Sequence, residues 1–156
     1  MSSSDDETML KQILTTIINS TAGLKYAIII DDTGITIASQ SKFTFTENEH
    51  ISVDKIGAIG GAVFTAGEEQ GEILGYGTIN LQITEYKKGM IFSIKLDNGA
   101  LVLATDFNVQ VGFVRALLKK WAPRIAKILS RYLESSDKEE LKEELKELFS
   151  TNSLGF

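Results

Sequence analysis

The segment 53–67 constrains the fold most, because it leaves almost no polar side for a helix to turn towards water. Only Asp54, Lys55 and Thr65 are polar in it. The other residues include two stripes at helical spacing, one of Ile56, Ile59, Val63 and Ala66 and one of Val53, Gly57, Gly60, Phe64 and Gly67. A helix that is apolar nearly all round must be buried on more than one side. We therefore expect one side of it to pack on the chain's own sheet and the other on a partner.

Four glycines lie in this segment, although each weakens a helix by roughly 1 kcal/mol relative to alanine. Binding of a phosphate by Gly57, Gly60 and Gly61 is one alternative. These glycines lie inside an apolar helix, whereas a phosphate loop follows a strand. We therefore favour packing, in which glycine allows another part of the backbone to come close.

Five strands are predicted around this helix, at residues 25–31, 35–39, 76–85, 90–97 and 100–105. The turn Asp31-Asp32-Thr33-Gly34 joins the first two, and Asn98-Gly99 is a strong hairpin signal between the last two. Residues 27–30 and 100–105 are apolar on both faces, which is typical of central strands. The second and third strands are therefore expected towards the edges.

Four helices are predicted, over residues 5–20, 53–69 and 109–132 and over about 13 residues after a capping-box pattern at Ser136-Asp137-Lys138-Glu139. Pro123 lies inside the third helix and predicts a kink or short break there. The polar residues 40–52 are interpreted as a surface loop. The fourth helix is amphipathic and needs a surface to pack on.

Composition excludes several classes of site. The chain has 156 residues, enough for one good core, with Cys 0 and His 1, so thiolate sites and sites that need two histidines are excluded. The formal charge of −5 gives no support to nucleic-acid binding. No apolar run reaches the roughly 18 residues of a membrane span, and the acidic start lacks the basic residues of a signal peptide. We expect a cytoplasmic protein with no cofactor and no metal.

The order of the predicted elements, helix–strand–strand–helix–strand–strand–strand–helix, resembles the roadblock (dynein light chain) superfamily over about residues 8–132. The residues that carry the resemblance are Tyr26-Ala27-Ile28-Ile29-Ile30-Asp31-Asp32-Thr33-Gly34, Gly57-Ala58-Ile59-Gly60-Gly61-Ala62 and Val111-Gly112-Phe113-Val114-Arg115. The chain is most similar to the stand-alone prokaryotic members that regulate small GTPases. We divide it into a roadblock-like domain at 1–133 and a C-terminal helical extension and tail at 134–156.

The resemblance implies an α/β (α+β) fold, a five-stranded antiparallel sheet of order 2-1-5-4-3, with the first and third helices on one face and the second on the other. It also implies a non-catalytic homodimeric platform that binds a Ras-like small GTPase and stimulates GTP hydrolysis by ordering its switch regions. The alternative is a nucleotide-independent scaffold or adaptor subunit of a motor or signalling complex. No phosphate-loop motif of a GTPase occurs in the chain itself.

Two sets of residues are candidates for interaction. The dimer interface is predicted to use the second helix and third strand, at Ile56, Ile59, Gly60, Val63, Phe64, Ile79, Leu81 and Ile83. Further partner contacts are predicted on the basic third helix and the C-terminal helix, at Arg115, Lys119, Arg124, Leu141, Leu145 and Leu148. The basic stripe is either a solvated face or a contact with a membrane, a nucleic acid or an acidic surface. The acidic C-terminal helix can fold back on it, cross to a second copy or dock on a GTPase.

Three catalytic or metal alternatives are weaker. Asp31 and Asp32 resemble a carboxylate pair for acid–base chemistry, but a turn explains both residues. His50 with Glu47 and Glu49 is a candidate metal site, although a single histidine in an acidic loop usually faces solvent. Arg115 and Arg124 are candidates for an arginine finger towards a bound GTPase, by residue type only.

Overall fold

The computed structural model describes residues 3–42 and 47–154 of the chain. In chain order the elements are α1 Ser3–Ile18, β1 Leu24–Asp31, β2 Thr36–Ser41, α2 Glu47–Leu74, β3 Leu81–Glu85, β4 Gly89–Leu96, β5 Gly99–Asp106 and α3 Val111–Leu154. This α-β-β-α-β-β-β-α order confirms the predicted one. None of these helices, over the described residues, is both long enough and apolar enough to cross a membrane.

The five strands form one antiparallel sheet in the order β2-β1-β5-β4-β3, as predicted. The two central strands are β1 and β5, where Ile28 lies opposite Val102 and Ile29 opposite Leu101. All four of these side chains are fully or almost fully buried. Side chains alternate between the two faces of a strand, so strands that are apolar on both faces need a cover on each side.

α1 and α3 cover one face of the sheet. Ile29 and Leu103 of the central strands pack there with Leu14 of α1 and Leu118 and Ile125 of α3. α2 covers the other face, where Ile28, Ile30, Ala100 and Val102 form a smaller cluster with Val53. The predicted layers are therefore confirmed, and the larger core lies under α1 and α3.

α2 is longer than predicted at both ends, and β2 runs on to Ser41, so the interpretation of residues 40–52 as a surface loop is wrong at Gln40 and Ser41 and from Glu47 onwards. Neither glycine nor proline interrupts 47–56, and the helix starts before its apolar part. It ends at Leu74, and the next residue, Gly75, has a φ of 72°. There the amide of Tyr76 donates to the carbonyl of Gly71 at 2.8 Å and that of Gly75 to Glu72 at 3.1 Å, a Schellman cap.

This cap also corrects the third strand, which was predicted to start at residue 76. Residues 75–80 leave the helix, and Gly75 and Gly77 both adopt a positive φ there. β3 therefore begins only at Leu81. Ile79 lies before the strand rather than in it.

The C-terminal segment is helical as predicted, but it continues α3 instead of forming a separate helix. α3 runs through Pro123 without a break for 44 residues, so of the predicted kink or short break the break is wrong. Ala122, Ile125 and Ala126 pack on the core on both sides of Pro123, which stabilises the helix around the missing N–H. Ser136 lies within α3 and starts no new helix, because no glycine or proline follows Pro123 until Gly155.

A continuous α3 also excludes one prediction for the extension. Residues up to Leu154 run on in the same helix, so the segment does not fold back on the basic part of α3. The predicted domain boundary at 133/134 lies inside this helix. Every side chain from Asp137 to Ser150 is exposed, so the segment extends beyond the body of the protein.

Candidate interaction surface

Two glycines allow α2 to lie close to the sheet, because neither has a Cβ atom. A Cβ atom on Gly57 would lie 2.9 Å from Thr36 Oγ1 and 3.0 Å from Ile30 Cγ2, and one on Gly61 would lie 3.2 Å from the Cα of Gly34. Gly34 itself has a φ of 86° in the β1–β2 turn. The expectation of close backbone approach is therefore correct at these positions. Gly60 differs, because a Cβ there would make only an ordinary contact of 3.7 Å with Val102.

Beside α2 the sheet carries an apolar groove. α2 packs on β1, β2 and β5, so the half of this face that β3 and β4 form is left open. The groove has a volume of about 230 Å³. α2 contributes Ile56, Ile59, Gly60 and Val63 to it, and the sheet side contributes Gln82, Thr84, Tyr86, Ile91, Ser93 and Val102.

The apolar side chains of α2 that border this groove are exposed in the single chain. Ile59 is 55% exposed and Val63 48%, while Ile56 and Gly60 are half-buried. Large aliphatic side chains at one-turn spacing on an open helix face are typical of a surface that is covered by a partner. Four of the predicted dimer residues therefore lie together.

The other four predicted dimer residues do not join them. Phe64 is only 6% exposed and faces the chain's own sheet. Ile79 lies against α2, because a Cβ on Gly67 would be 2.6 Å from its Cδ1. Leu81 and Ile83 pair with Ile94 and Phe92, which belong to the core under α1 and α3. Directly paired residues point to the same face, so Leu81 and Ile83 lie on the face opposite the groove.

The sequence analysis missed the sheet side of the groove. Gln82 and Thr84 alternate with Leu81 and Ile83, and they pair with Ser93 and Ile91. Their alternation was visible in the sequence, but it indicates only that they share a face. That this face is left open beside α2 depends on where α2 crosses the sheet.

The sheet also ends beside this groove. β3 is the last strand and pairs with β4 alone among the strands of the sheet. An edge strand presents N–H and C=O groups that another chain can pair with. The groove and the free side of β3 are therefore adjacent parts of one surface.

The predicted contacts on α3 lie on a second surface. Arg115, Lys119 and Arg124 are all exposed. The guanidinium of Arg124 lies 5.7 Å from the ring centre of Trp121, and the ammonium of Lys120 lies 5.5 Å from it. Further along the helix, Leu141, Leu145 and Leu148 are 56%, 46% and 61% exposed.

Arg131 has a different role from these exposed cations. Its Nε and Nη2 donate to Oδ1 of Asp6 at 2.9 and 2.7 Å, and the Asp6 side chain is fully buried. The hydrogen bond to Asp6 raises the pKa of Arg131, against the effect of burial. This ion pair joins the start of α1 to α3.

The weaker alternatives gain no support from the described residues. Oδ1 of Asp31 accepts hydrogen bonds from the backbone N–H of Thr33 and Ile35 at 2.9 and 3.0 Å. The turn therefore explains Asp31, as expected. Among the side chains that the structure describes, no group of three histidine, cysteine or acidic residues is placed to hold a metal. The side chains of Glu47, Glu49 and His50 lie outside the described residues.

Comparison with known proteins identifies the fold. No model of a protein family matches the chain. Uncharacterized proteins MJ0310 and MJ1340 of Methanocaldococcus jannaschii are each 29% identical to it over 108 residues, which are 69% of this chain and 90% of each relative. The chain is therefore longer than these relatives.

Solved structures agree with the predicted resemblance. The gliding protein MglB from Thermus thermophilus has a TM-score of 0.71 at 16% identity, over 81% of this chain and 92% of that one. A structure titled MglB with tetrameric arrangement gives 0.71 at 17% identity, with the same coverage. A Roadblock/LC7 domain from Streptomyces avermitilis gives 0.65 at 12% identity, over 80% and 97%. The predicted resemblance to the roadblock superfamily is confirmed, and the chain has the fold of MglB and of the Roadblock/LC7 domains.

Proposed function

We propose that this chain is a non-catalytic homodimeric platform that binds a Ras-like small GTPase and stimulates GTP hydrolysis by ordering its switch regions. The observation that carries the proposal is the apolar groove between α2 and the β3–β4 half of the sheet, bordered by the exposed Ile59 and Val63. The shared fold with MglB and the Roadblock/LC7 domains supports it.

A second copy of the chain fits this surface. In a two-fold dimer the same patch is used by both copies. Ala58, Ala62 and Ala66 are also exposed on α2 near Ile59 and Val63, and these small residues allow a second α2 to approach closely. Full burial of such an aliphatic side chain stabilises by roughly 1.5–3 kcal/mol. Since about half of Ile59 and Val63 is already buried, each contributes about 1 kcal/mol on pairing.

The β3 edge extends the same dimer. Two antiparallel β3 strands related by a two-fold axis normal to the sheet give one continuous sheet, with five strands from each copy. The same axis brings both α2 helices to one side of that sheet. The paired α2 helices then form a broad surface. By resemblance to the roadblock regulators, this is the surface that binds the GTPase.

The placement of α3 argues against an arginine finger. Arg115 and Arg124 lie on α3, and α3 and α2 cover opposite faces of the sheet. A GTPase seated on the α2 surface is separated from both side chains by the sheet. Stimulation by ordering the GTPase's own catalytic groups is therefore the mechanism that fits this geometry.

The dimer is tested by Val63→Asp, with light scattering as the measurement. The substitution places a carboxylate where the aliphatic surface is to be buried, and burial of an unpaired charge is costly. We expect a folded monomer. Thr65→Asp is the matched control, because Thr65 is exposed on the other flank of α2 and does not line the groove; it should remain dimeric. A folded Val63→Asp dimer would refute this interface.

The GTPase is tested by binding to small GTPases from the same genome, each loaded with GDP or with a non-hydrolysable GTP analogue, while hydrolysis is followed in parallel. We expect preference for the GTP form and faster hydrolysis, both reduced by Val63→Asp. Binding without nucleotide preference would instead favour the scaffold alternative. Absence of binding to every GTPase would remove this function and leave the dimer untouched.

A further inference from the structure

One line of residues along α3 joins its basic part to its apolar end. Lys120, Lys127, Glu134, Leu141 and Leu148 follow one another at intervals of seven residues, and all five are exposed. Seven residues are almost two full turns of an α-helix. These side chains therefore lie on one side of α3, which we call the outer face.

The first half of the outer face is strongly basic. Lys120, Arg124 and Lys127 lie on it and are exposed, and no acidic residue occurs between 107 and 133. None of these three cations is in an ion pair with a described side chain. Although the whole chain carries a formal charge of −5, this face carries uncompensated positive charge.

The second half of the outer face is apolar. Leu141, Leu145, Leu148 and Phe149 form a stripe at helical spacing and are between 46% and 69% exposed. Lys138, Lys142 and Lys146 follow each other at four-residue spacing along one border of this stripe. At about 100° per residue, Glu140, Glu143 and Glu147 fall on the side of the helix away from it, whereas Asp137 and Glu144 lie along its other border.

We propose that the outer face of α3 binds the surface of a membrane that contains anionic lipids. The cations would lie at the headgroup phosphates, and Leu141, Leu145, Leu148 and Phe149 would enter the boundary between headgroups and acyl chains. A helix that lies in the membrane interface uses an apolar stripe with basic residues beside it. Basic charge and apolar insertion together give firmer binding than either alone.

The shape of the outer face favours a bilayer over an acidic protein. From Lys120 to Phe149 the helix is about 44 Å long at about 1.5 Å per residue. Such a long, continuous ridge fits a plane, which offers negative charge and an apolar layer along its whole length. The groove beside α2 lies on the opposite face of the sheet, so lipid and the proposed GTPase do not compete for one surface.

The test is flotation of the full chain with vesicles of phosphatidylcholine alone or of phosphatidylcholine mixed with phosphatidylglycerol. We expect binding to the mixed vesicles only, weakened by salt. Each basic residue near an anionic surface contributes roughly fivefold in affinity, so Lys120→Glu with Lys127→Glu should weaken binding by roughly 25-fold or more. Lys87→Glu with Lys88→Glu is the matched control, since both lysines are exposed in the β3–β4 turn and the net charge changes equally; it should bind normally.

A second variant tests the apolar half. Leu141→Ser with Leu145→Ser removes side chains that are exposed in the single chain, so the fold should be retained by circular dichroism while vesicle binding falls. Absence of binding to phosphatidylglycerol vesicles would overturn the proposal, even where an acidic protein is bound instead. The proposal would also be overturned if Lys87→Glu with Lys88→Glu weakened vesicle binding as much as Lys120→Glu with Lys127→Glu. Neither outcome affects GTPase binding, which is measured separately.

Discussion

A matched pair of glycine substitutions tests how α2 is held on the sheet. Gly57 and Gly60 both lie in the middle of α2, and only Gly57 is in close contact with neighbouring side chains. The added methyl group would lie 2.9 Å from Thr36 Oγ1 at position 57, but 3.7 Å from the nearest atom, on Val102, at position 60. Gly57→Ala and Gly60→Ala therefore differ in crowding and not in helix propensity.

The magnitudes follow from these two distances. Alanine stabilises the interior of a helix by about 1 kcal/mol relative to glycine, and this gain applies at both positions. Gly60→Ala should therefore raise the free energy of unfolding by about 1 kcal/mol. At Gly57 the crowding of Thr36 and Ile30 costs about 1–3 kcal/mol, the usual range for overpacking. The difference in the free energy of unfolding between the two variants gives this crowding cost, because both gain the same helix propensity.

The assay is urea denaturation followed by circular dichroism, for both variants and the parent chain. In a chain of this size about 1 kcal/mol corresponds to about 2–4 °C in melting temperature, so heating gives an independent measurement. Repeating the series at a lower protein concentration removes the contribution of dimerisation, since Gly60 borders the proposed interface. A Gly57→Ala variant as stable as Gly60→Ala, or more stable, would contradict the close approach of α2 to β1 and β2.

Two further predictions concern α1 and α3. Arg131→Ala should destabilise the chain, because it leaves the fully buried carboxylate of Asp6 without its cation. In denaturation by urea, the double variant Asp6→Ala with Arg131→Ala should be more stable than Arg131→Ala alone. If the double variant is the less stable of the two, the buried carboxylate of Asp6 does not depend on Arg131. Burial raises the pKa of Tyr132, so above the unfolded-state pKa of about 10 the unfolded chain loses a proton that the folded chain retains. The free energy of unfolding should therefore fall as the pH rises above about 10, and Tyr132→Phe should reduce this fall; an unchanged pH profile would rule out Tyr132 as its source.

Local patterns predicted most of the architecture. The doubly apolar residues 27–30 and 100–105 indicated the central strands, and the structure places them in β1 and β5. Alternation and turn residues predicted β4 and β5 to within one or two residues. Both signals are local, because they depend on the period of a strand and on the few residues that favour a tight turn.

Element ends were predicted less well, because they depend on competition between neighbouring segments. β3 starts at Leu81 since the end of α2 and its cap occupy the residues before it. α3 continues through Pro123 because packing of Ile125 and its neighbours on the core outweighs the lost hydrogen bond. A capping-box pattern such as that at Ser136 acts only where a helix begins, and here the helix is already formed.

The sequence by itself determined that the helix at 53–67 needs burial on two sides, since no polar face is available to it. Only the tertiary structure decided which residues serve which side. Phe64 and Gly57 face the chain's own sheet, while Ile59 and Val63 remain exposed. The physical reason is that an apolar side chain or a glycine can pack equally well against the chain's own sheet or against a partner, so residue type alone does not decide between them. The crossing of α2 over β1, β2 and β5, set by the close approach at Gly57 and Gly61, leaves one half of the sheet open and so creates the groove.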